Sequence, residues 1–182
     1  NFNQIIVSTG STFDDEIKKA FTILKSKKPI FLHCVTIYPT PLNQLHLNRI
    51  KFLKKLTKNV GYSDHSQGYG PNRNLASLLS IYSGAKFVER HIRILDKSET
   101  KDGIVSIEPK DIKILKQFSS LTKSEQKKFL IQNYNFNIKK VMGNKNRNLS
   151  RIELLNRDYY RGRFITKTKL RDIYNWEEVQ YD

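Results

Sequence analysis

The chain has little that would place it in a membrane or in an oxidising compartment. Its 182 residues include one cysteine, Cys34, so no internal disulfide can form, which fits a reducing compartment. The apolar runs, such as residues 29–35, fall far short of the roughly 20 residues that span a bilayer. No sequence typical of a signal peptide opens the chain. The sequence therefore predicts a soluble, cytoplasmic protein with no membrane partner, in which Cys34 is a small buried side chain.

Acidic residues are scarce: the chain has 17 Asp and Glu residues against 33 Lys and Arg residues, which gives a net charge of +16. Such an excess can indicate a nucleic-acid-binding protein. The lysines, however, are spread along the whole chain in short doublets and do not gather between aromatic residues. A bias towards Asn, Ile and Lys also follows from AT-rich coding. We therefore predict no nucleic-acid partner, keep a basic nucleic-acid-binding protein as an alternative, and expect the positive field to suit an anionic small substrate.

Four short β-like runs recur at regular intervals, at residues 5–7, 30–33, 60–62 and 87–89. The polar residues that close them are 28, 27 and 28 residues apart, and they are Ser8, Thr36, Ser63 and His91. A strand, a helix and two turns take about 30 residues, so this rhythm predicts consecutive βα units. Strands that alternate with helices form a parallel sheet, either open or closed into a barrel. In both, side chains at the C-terminal strand ends form the active site.

Apolar residues at helical spacing lie between and after these runs. They predict four helices, which begin at Asp14, run from Leu42 to Leu56, run from Leu75 to Tyr82 and begin after Pro109. We expect the last of these to turn Ile112, Leu115 and Phe118 inward. The pattern changes after residue 121. It predicts a barrel-type domain over residues 1–121, a helix and linker over residues 122–149, and part of a small second domain over residues 150–182.

His65 and His91 are the most informative candidates for chemistry. Each comes just after a strand, on consecutive βα units, so adjacent strands would bring both imidazoles to the same edge of the sheet. Two neutral imidazoles make half of a ligand set for Mn, Fe or Zn. Asp102, in the loop after His91, could add a carboxylate. A histidine that only packs or hydrogen-bonds at a loop would explain either one alone, so both interpretations remain open here.

Small polar residues stand at the other strand ends. Residues 8–10, with Ser63, suit the binding of an anion through hydroxyl and backbone donors, although Ser-Thr-Gly also makes an ordinary turn and helix cap. Tyr38 opens a Tyr-Pro-Thr-Pro segment whose two prolines would hold it over the strand ends, or make a rigid connector. His33, inside a β-like run, is interpreted as a core or supporting residue.

Motifs at these strand ends resemble those of a known family. They read IVSTG at 6–10, LHCVTIYPTP at 32–41, GYSDH at 61–65 and GAKFVERH at 84–91, followed by SIEP at 106–109. In order and spacing they are similar to the sialic acid (N-acetylneuraminate) synthases, over about residues 4–120. The resemblance implies the C-terminal half of a (β/α)₈ TIM barrel, followed by the start of an antifreeze-like domain. It also implies a homodimer for the full-length protein.

The family condenses phosphoenolpyruvate with an N-acylated mannosamine-type sugar, which gives a nine-carbon 2-keto acid and phosphate. Carried over by position, the resemblance implies that His65, His91 and Asp102 are catalytic. His65 and His91 would hold a divalent metal, Mn²⁺ first and Mg²⁺ second, as a Lewis acid on the aldehyde oxygen. The implied phosphoenolpyruvate contacts are Ser8, Thr36 and Ser63, and the implied sugar contacts are Tyr38 and Asp102.

Three departures from the family pattern bear on this assignment. Thr36 stands where the family commonly has Asn or Ser, residues 92–93 replace the usual Phe-Thr, and residues 98–102 lack the usual prolines. The spacing from His91 to Asp102 is kept. The departures therefore concern the choice of sugar more than the metal.

The family's first four βα units have no counterpart, since residue 1 falls just before the expected fifth strand. Half a barrel would expose two sheet edges and apolar surface, so we expect a partner, a second copy or the remaining half. The chain is interpreted as a fragment or split half of a nonulosonate synthase, which need not be active by itself. A truncated, inactive paralogue that serves as an interaction module is the alternative.

Overall fold

A four-stranded parallel sheet forms the centre of the computed structural model, which describes residues 3–161, 165–167 and 172–174. The strands pair in sequential order and are β1 (Ile6–Ser8), β2 (Ile30–Cys34), β3 (Val60–Asp64) and β4 (Phe87–Arg90). A helix follows each strand, as the rhythm of polar strand ends predicts. Sequential order in a parallel sheet is the arrangement of a TIM barrel. The predicted α/β class and barrel-type architecture are confirmed.

Four helices cover one face of the sheet and bury its apolar side chains. They are α1 (Asp14–Leu24), α2 (Arg49–Leu53), α3 (Leu75–Tyr82) and α4 (Pro109–Ser119). Because side chains alternate along a strand, Phe31, Val60 and Tyr62 share the helix-covered face. All three are buried in a single core together with Leu78 and Leu79 of α3. Ser63 and His65 point away from this core, towards the concave face of the sheet.

Local sequence explains where the helices begin. The Glu16 carboxylate accepts a hydrogen bond from the Phe13 backbone N–H at 2.8 Å, and acidic residues fill the first turn of α1, where the helix dipole favours them. In α4, Pro109 occupies the first turn and Asp111 accepts from the Glu108 N–H at 3.1 Å. The predicted starts of α1 and α4 are thereby confirmed.

Two details of the predicted helices are wrong. The continuous helix expected from Leu42 to Leu56 is a 3₁₀ turn, a loop and the short helix α2, because His46 adopts a left-handed backbone with φ of 48°. The chain turns there so that Leu45 and Leu47, which no single helix face would share, are both fully buried. Ile112, expected to face inward from α4, is 37% exposed.

The C-terminal part contains α5 (Lys123–Asn133), α6 (Ile138–Met142), α7 (Arg151–Arg161) and an antiparallel pair, β5 (Ile165–Lys167) and β6 (Asp172–Tyr174). Residues 162–164, 168–171 and 175–182 of the predicted antifreeze-like segment, residues 150–182, lie outside the described residues. The identity of this segment and the domain divisions at residues 121 and 149 stay predictions. None of the helices in the described part of the chain is both long and apolar enough to cross a membrane.

His33 links the stability of this fold to pH. Its ring is buried and its Nε2–H donates to the Leu45 carbonyl at 2.7 Å. Burial, which disfavours the charged form, lowers the pKa of His33 to about 3. The unfolded chain, with an ordinary histidine pKa near 6.5, therefore binds one more proton between these two values.

We expect the free energy of unfolding to fall as the pH drops from about 6.5 towards 3, with a slope of up to about 1.4 kcal/mol per pH unit from this residue. Urea unfolding of the parent chain and of His33→Gln at several pH values would measure it. The variant should lose that part of the slope. Equal slopes for both proteins would contradict the assignment.

Candidate active site

Four polar side chains meet at the ends of two neighbouring strands. In the parallel register of β3 and β4, Ser63 lies opposite Glu89. Two residues further on, His65 and His91 follow on the same face, because side chains alternate. The Ser63 hydroxyl donates to Glu89 Oε1 at 2.6 Å, and the rings of His65 and His91 are 5.5 Å apart between centroids. The expectation that adjacent strands bring both imidazoles to the same edge is confirmed.

His65 has a defined pattern of hydrogen bonds. Its Nδ1 lies 3.3 Å from the Val35 carbonyl, which can only accept, so Nδ1 carries the hydrogen. Its Nε2 is then an acceptor and receives the Tyr38 hydroxyl at 2.9 Å, while the two rings stack with centroids 4.1 Å apart. Burial lowers the pKa of His65 below its ordinary value. The ring is therefore neutral at pH 7.

His91 and Asp102 lie on the side of the candidate site that is more exposed to solvent. The distance from His91 Nδ1 to Asp102 Oδ2 is 3.6 Å, longer than a hydrogen bond, and the Asp102 side chain is 54% exposed. The Tyr38 ring meets the His91 ring edge-on, with centroids 6.4 Å apart. Tyr38 lies in the loop after β2, whereas His91 and Asp102 share the loop after β4, and the fold brings all three into one cluster with His65.

The structure gathers the predicted site residues around two adjoining cavities. The first, of about 420 Å³, is lined by six of the seven: Ser8, Thr36, Tyr38, Ser63, His65 and His91. Asp102, the seventh, lines a neighbouring cavity of about 700 Å³ that shares Tyr38 and His91 with the first. The two cavities lie along the carboxyl ends of the strands, where a barrel enzyme binds its substrate.

Thr36 fits its place because Gly10 leaves room for its methyl group. A Cβ atom at position 10 would lie 2.7 Å from Thr36 Cγ2. The Thr36 hydroxyl hydrogen-bonds with that of Ser11, and its carbonyl accepts from the side-chain amide of Asn156. The hydroxyl is therefore held at the cavity wall even though the extra methyl is present.

Two charged residues that line the first cavity, Glu89 and Arg157, were not identified from the sequence. Glu89 faces the first cavity between Ser63 and His91, and the alternation that pairs it with His91 on one face was the signal that could have revealed it. Arg157, from α7, gave no such signal. It donates to both Glu16 oxygens, at 2.5 and 3.1 Å, and to the Ser11 carbonyl at 2.8 Å.

Cys34 lines the same cavity but is not set up as a nucleophile. Its Sγ is 3.6 Å from His65 Nδ1, and its thiol is buried. Burial raises the pKa of Cys34 to about 11, so the thiol stays protonated at neutral pH. The prediction that Cys34 is a small buried side chain is confirmed.

The two imidazoles fit a divalent metal as donors but do not complete a ligand set. Within the residues that the structure describes, no group of three or more His, Cys, Asp or Glu side chains could hold a metal ion. Neutral His65 offers Nε2, the nitrogen that now accepts the Tyr38 hydroxyl, so a metal there would require the phenol to move. Oxygens from water or substrate would have to supply the other positions.

Polar residues at strand ends around a cavity, on a parallel α/β sheet, are the arrangement found at the substrate sites of barrel-type enzymes. Comparison with known proteins narrows the class. The profile of the NeuB family matches residues 1–151, and the chain belongs to this family.

Individual relatives agree with that assignment. The chain is 35% identical to N,N'-diacetyllegionaminic acid synthase of Campylobacter jejuni over 118 residues, 62% of this chain and 34% of the relative. The crystal structure of N-acetylneuraminic acid synthetase from Leptospira borgpetersenii superposes with a TM-score of 0.57 at 29% identity, over 86% of this chain and 49% of that one. SpsE of Bacillus subtilis shares the fold, with a TM-score of 0.62 at 24% identity, covering 81% of this chain and 41% of that one.

Replacing Tyr38 by Phe should raise the pKa of His65 towards its ordinary value. The Tyr38 hydroxyl donates to the neutral ring and cannot donate to the charged one, so the bond adds to burial in favouring the neutral form. Titration of the His65 Cε1–H resonance by NMR in Tyr38→Phe measures the change. Tyr69→Phe, a change in another loop, should leave it as in the parent, and an unchanged His65 pKa in Tyr38→Phe would contradict the hydrogen bond.

Proposed function

We propose that the chain is part of a nonulosonate synthase, which joins phosphoenolpyruvate to an N-acylated mannosamine-type sugar and releases phosphate. The observation that carries this proposal is the cluster of Ser63, His65, Glu89 and His91 on one face of the sheet, beside a cavity of about 420 Å³. Membership of the NeuB family and the synthases among its relatives support it. The chain spans 32% and 34% of the first two curated relatives it matches, so the reaction is proposed for the whole protein.

His65 and His91 would hold the divalent metal, which we propose is Mn²⁺, with Mg²⁺ as the second choice. When bound, the metal supplies a Lewis acid for the aldehyde oxygen of the sugar. His65 suits this role because its Nδ1–H is held by the Val35 carbonyl, which leaves the Nε2 lone pair directed at the cavity side. The low pKa caused by burial keeps that lone pair available at neutral pH.

Ser8, Thr36 and Ser63 would line the site of the anionic phosphoenolpyruvate, since all three face the first cavity. The chain's net charge of +16 favours the approach of such an anion over longer distances. Glu89, which accepts from Ser63, can hold a proton on its second oxygen next to the bound substrate. These residues bind, orient and exchange protons at one end of the cavity.

The sugar would occupy the more open side, between Tyr38 and Asp102. That side is walled by α7, whose Asn156 and Tyr159 line the same cavity as Asp102. Exposed carboxylate and hydroxyl groups suit the many hydroxyls of an open-chain sugar. For the whole protein we also propose a homodimer and a cytoplasmic location, where phosphoenolpyruvate is formed.

Phosphate release from phosphoenolpyruvate and N-acetylmannosamine tests the proposal. Because the matched segment makes up only 32% and 34% of the first two curated relatives, the chain is assayed alone and together with the preceding βα units of a relative. We expect release that requires Mn²⁺, and His65→Ala and His91→Ala should each lower it by at least about 100-fold, since loss of a metal ligand removes the Lewis acid. His46→Ala, a histidine outside both cavities, is the control.

Two outcomes of the phosphate-release assay would contradict the proposal. A folded complex that binds both substrates but releases no phosphate would contradict the synthase. Release that persists unchanged in both His65→Ala and His91→Ala would contradict the metal assignment, even if the reaction itself is correct.

A further inference from the structure

Near the end of β3 and of β4, one residue points to the face of the sheet opposite the candidate site. Asp64 stands between Ser63 and His65, and Arg90 stands between Glu89 and His91. The register of β3 and β4 places Asp64 directly opposite Arg90. Side chains alternate along a strand, so the residues between those that face the cavity point the other way. Asp64 and Arg90 therefore point towards the helix-covered face of the sheet. Arg90 Nη1 lies 2.6 Å from Asp64 Oδ1, and the side chains are 2% and 0% exposed.

The pair is connected to the loop that carries His65. Arg90 Nη1 also donates to the Asp64 carbonyl at 3.3 Å and to the Ser66 hydroxyl at 3.1 Å. The Asp64 carbonyl belongs to the peptide bond that joins Asp64 to His65. Asp64 Oδ1 in turn accepts the Ser66 backbone N–H at 2.8 Å. The backbone on both sides of His65 is thus held by the same ion pair.

Further contacts fix the pair to the rest of the fold. The second Asp64 oxygen accepts the hydroxyl of Ser77 in α3, and Arg90 Nη2 donates to the Arg73 carbonyl at 3.0 Å. A buried ion pair gives little net stability compared with apolar side chains of the same volume, since both charges lose their water. Its best-attested use is to specify one arrangement of the chain. Here the arrangement is that of the two strand ends which carry the imidazoles.

We propose that Arg90 and Asp64 are positioning residues that set the separation and orientation of the His65 and His91 rings. The proposal rests on the proposed function for its consequence, metal binding, but not for its geometry. If the Asp64–His65 peptide is released, His65 can rotate, lose the Val35 carbonyl as acceptor of its Nδ1–H, and exchange its tautomer. A ring with mixed tautomers offers Nε2 to a metal only part of the time.

The first test needs no metal. Nitrogen-15 NMR of the imidazole ring distinguishes the Nδ1–H from the Nε2–H tautomer, and the parent chain should show Nδ1–H at His65. Arg90→Met and Asp64→Asn should show a mixture of both. Arg90→Lys keeps the charge but lacks the planar guanidinium that reaches several acceptors. Its fraction of the Nε2–H tautomer should therefore lie between that of the parent and that of Arg90→Met.

Asp111→Asn is the matched control. Asp111, in the first turn of α4, is also fully buried, and its carboxylate accepts from Arg73 Nε at 2.7 Å and from Asn74 at 2.8 Å. These two partners lie at the far end of the loop after β3, so the Asp111 carboxylate supports that loop away from His65. This variant should unfold more easily and still show the single Nδ1–H tautomer. A folded Arg90→Lys or Asp64→Asn that retains the parent tautomer would overturn the proposal, even if Arg90→Met does not fold.

The second test measures the dissociation constant of Mn²⁺ alone. Loss of a partner that orients a metal ligand typically weakens metal binding about 10- to 100-fold, which is the change expected for Arg90→Met, with little change for Asp111→Asn. Equal Mn²⁺ affinity in the parent and in Arg90→Met would overturn the proposal. If the parent itself binds no Mn²⁺, the proposed metal site fails, and the tautomer measurement alone decides the role of Arg90 and Asp64.

Discussion

The parallel pairing of β3 with β4 is the constraint on which the site depends. One register places Ser63 beside Glu89 on the concave face and Asp64 beside Arg90 on the other, and the next residues on the concave side are His65 and His91. Since side chains alternate, a slip of one residue in either strand would bury an imidazole in the core and turn a charge to the cavity. The polar cluster and the ion pair behind it are therefore two faces of the same pairing.

Charged contacts also attach helix α7 to the edge of the sheet where the strands end and the candidate site lies. Arg157 of α7 reaches Glu16 at the start of α1, and Arg147 donates to both oxygens of the buried Glu153, at 2.6 and 2.7 Å. The Ser11 hydroxyl donates to the Glu153 carbonyl at 3.1 Å. These bonds hold Asn156 and Tyr159 beside Asp102. A helix far along the sequence thus forms a wall of the space in which we propose the sugar binds.

Much of this arrangement can be read from the sequence, because it follows from short-range patterns. The rhythm of strand ends predicts the parallel sheet, and the positions just after the strands identify His65 and His91. The same alternation would have revealed Glu89, had it been applied to β4 as well. The break at His46 could not be predicted, since burial of Leu45 and Leu47 by distant elements overrides a helical pattern. The contact between Glu16 and Arg157 joins residues 141 positions apart and has no local signal.

We propose above all that the ends of β3 and β4 present His65 and His91 to one metal ion. Anomalous X-ray diffraction at the manganese absorption edge, from crystals of the protein grown with Mn²⁺, locates that ion directly. We expect a peak within bonding distance of a ring nitrogen from each histidine, with the Tyr38 hydroxyl moved away from His65 Nε2. Manganese bound elsewhere, with the Tyr38 hydroxyl still on His65 Nε2, would contradict it.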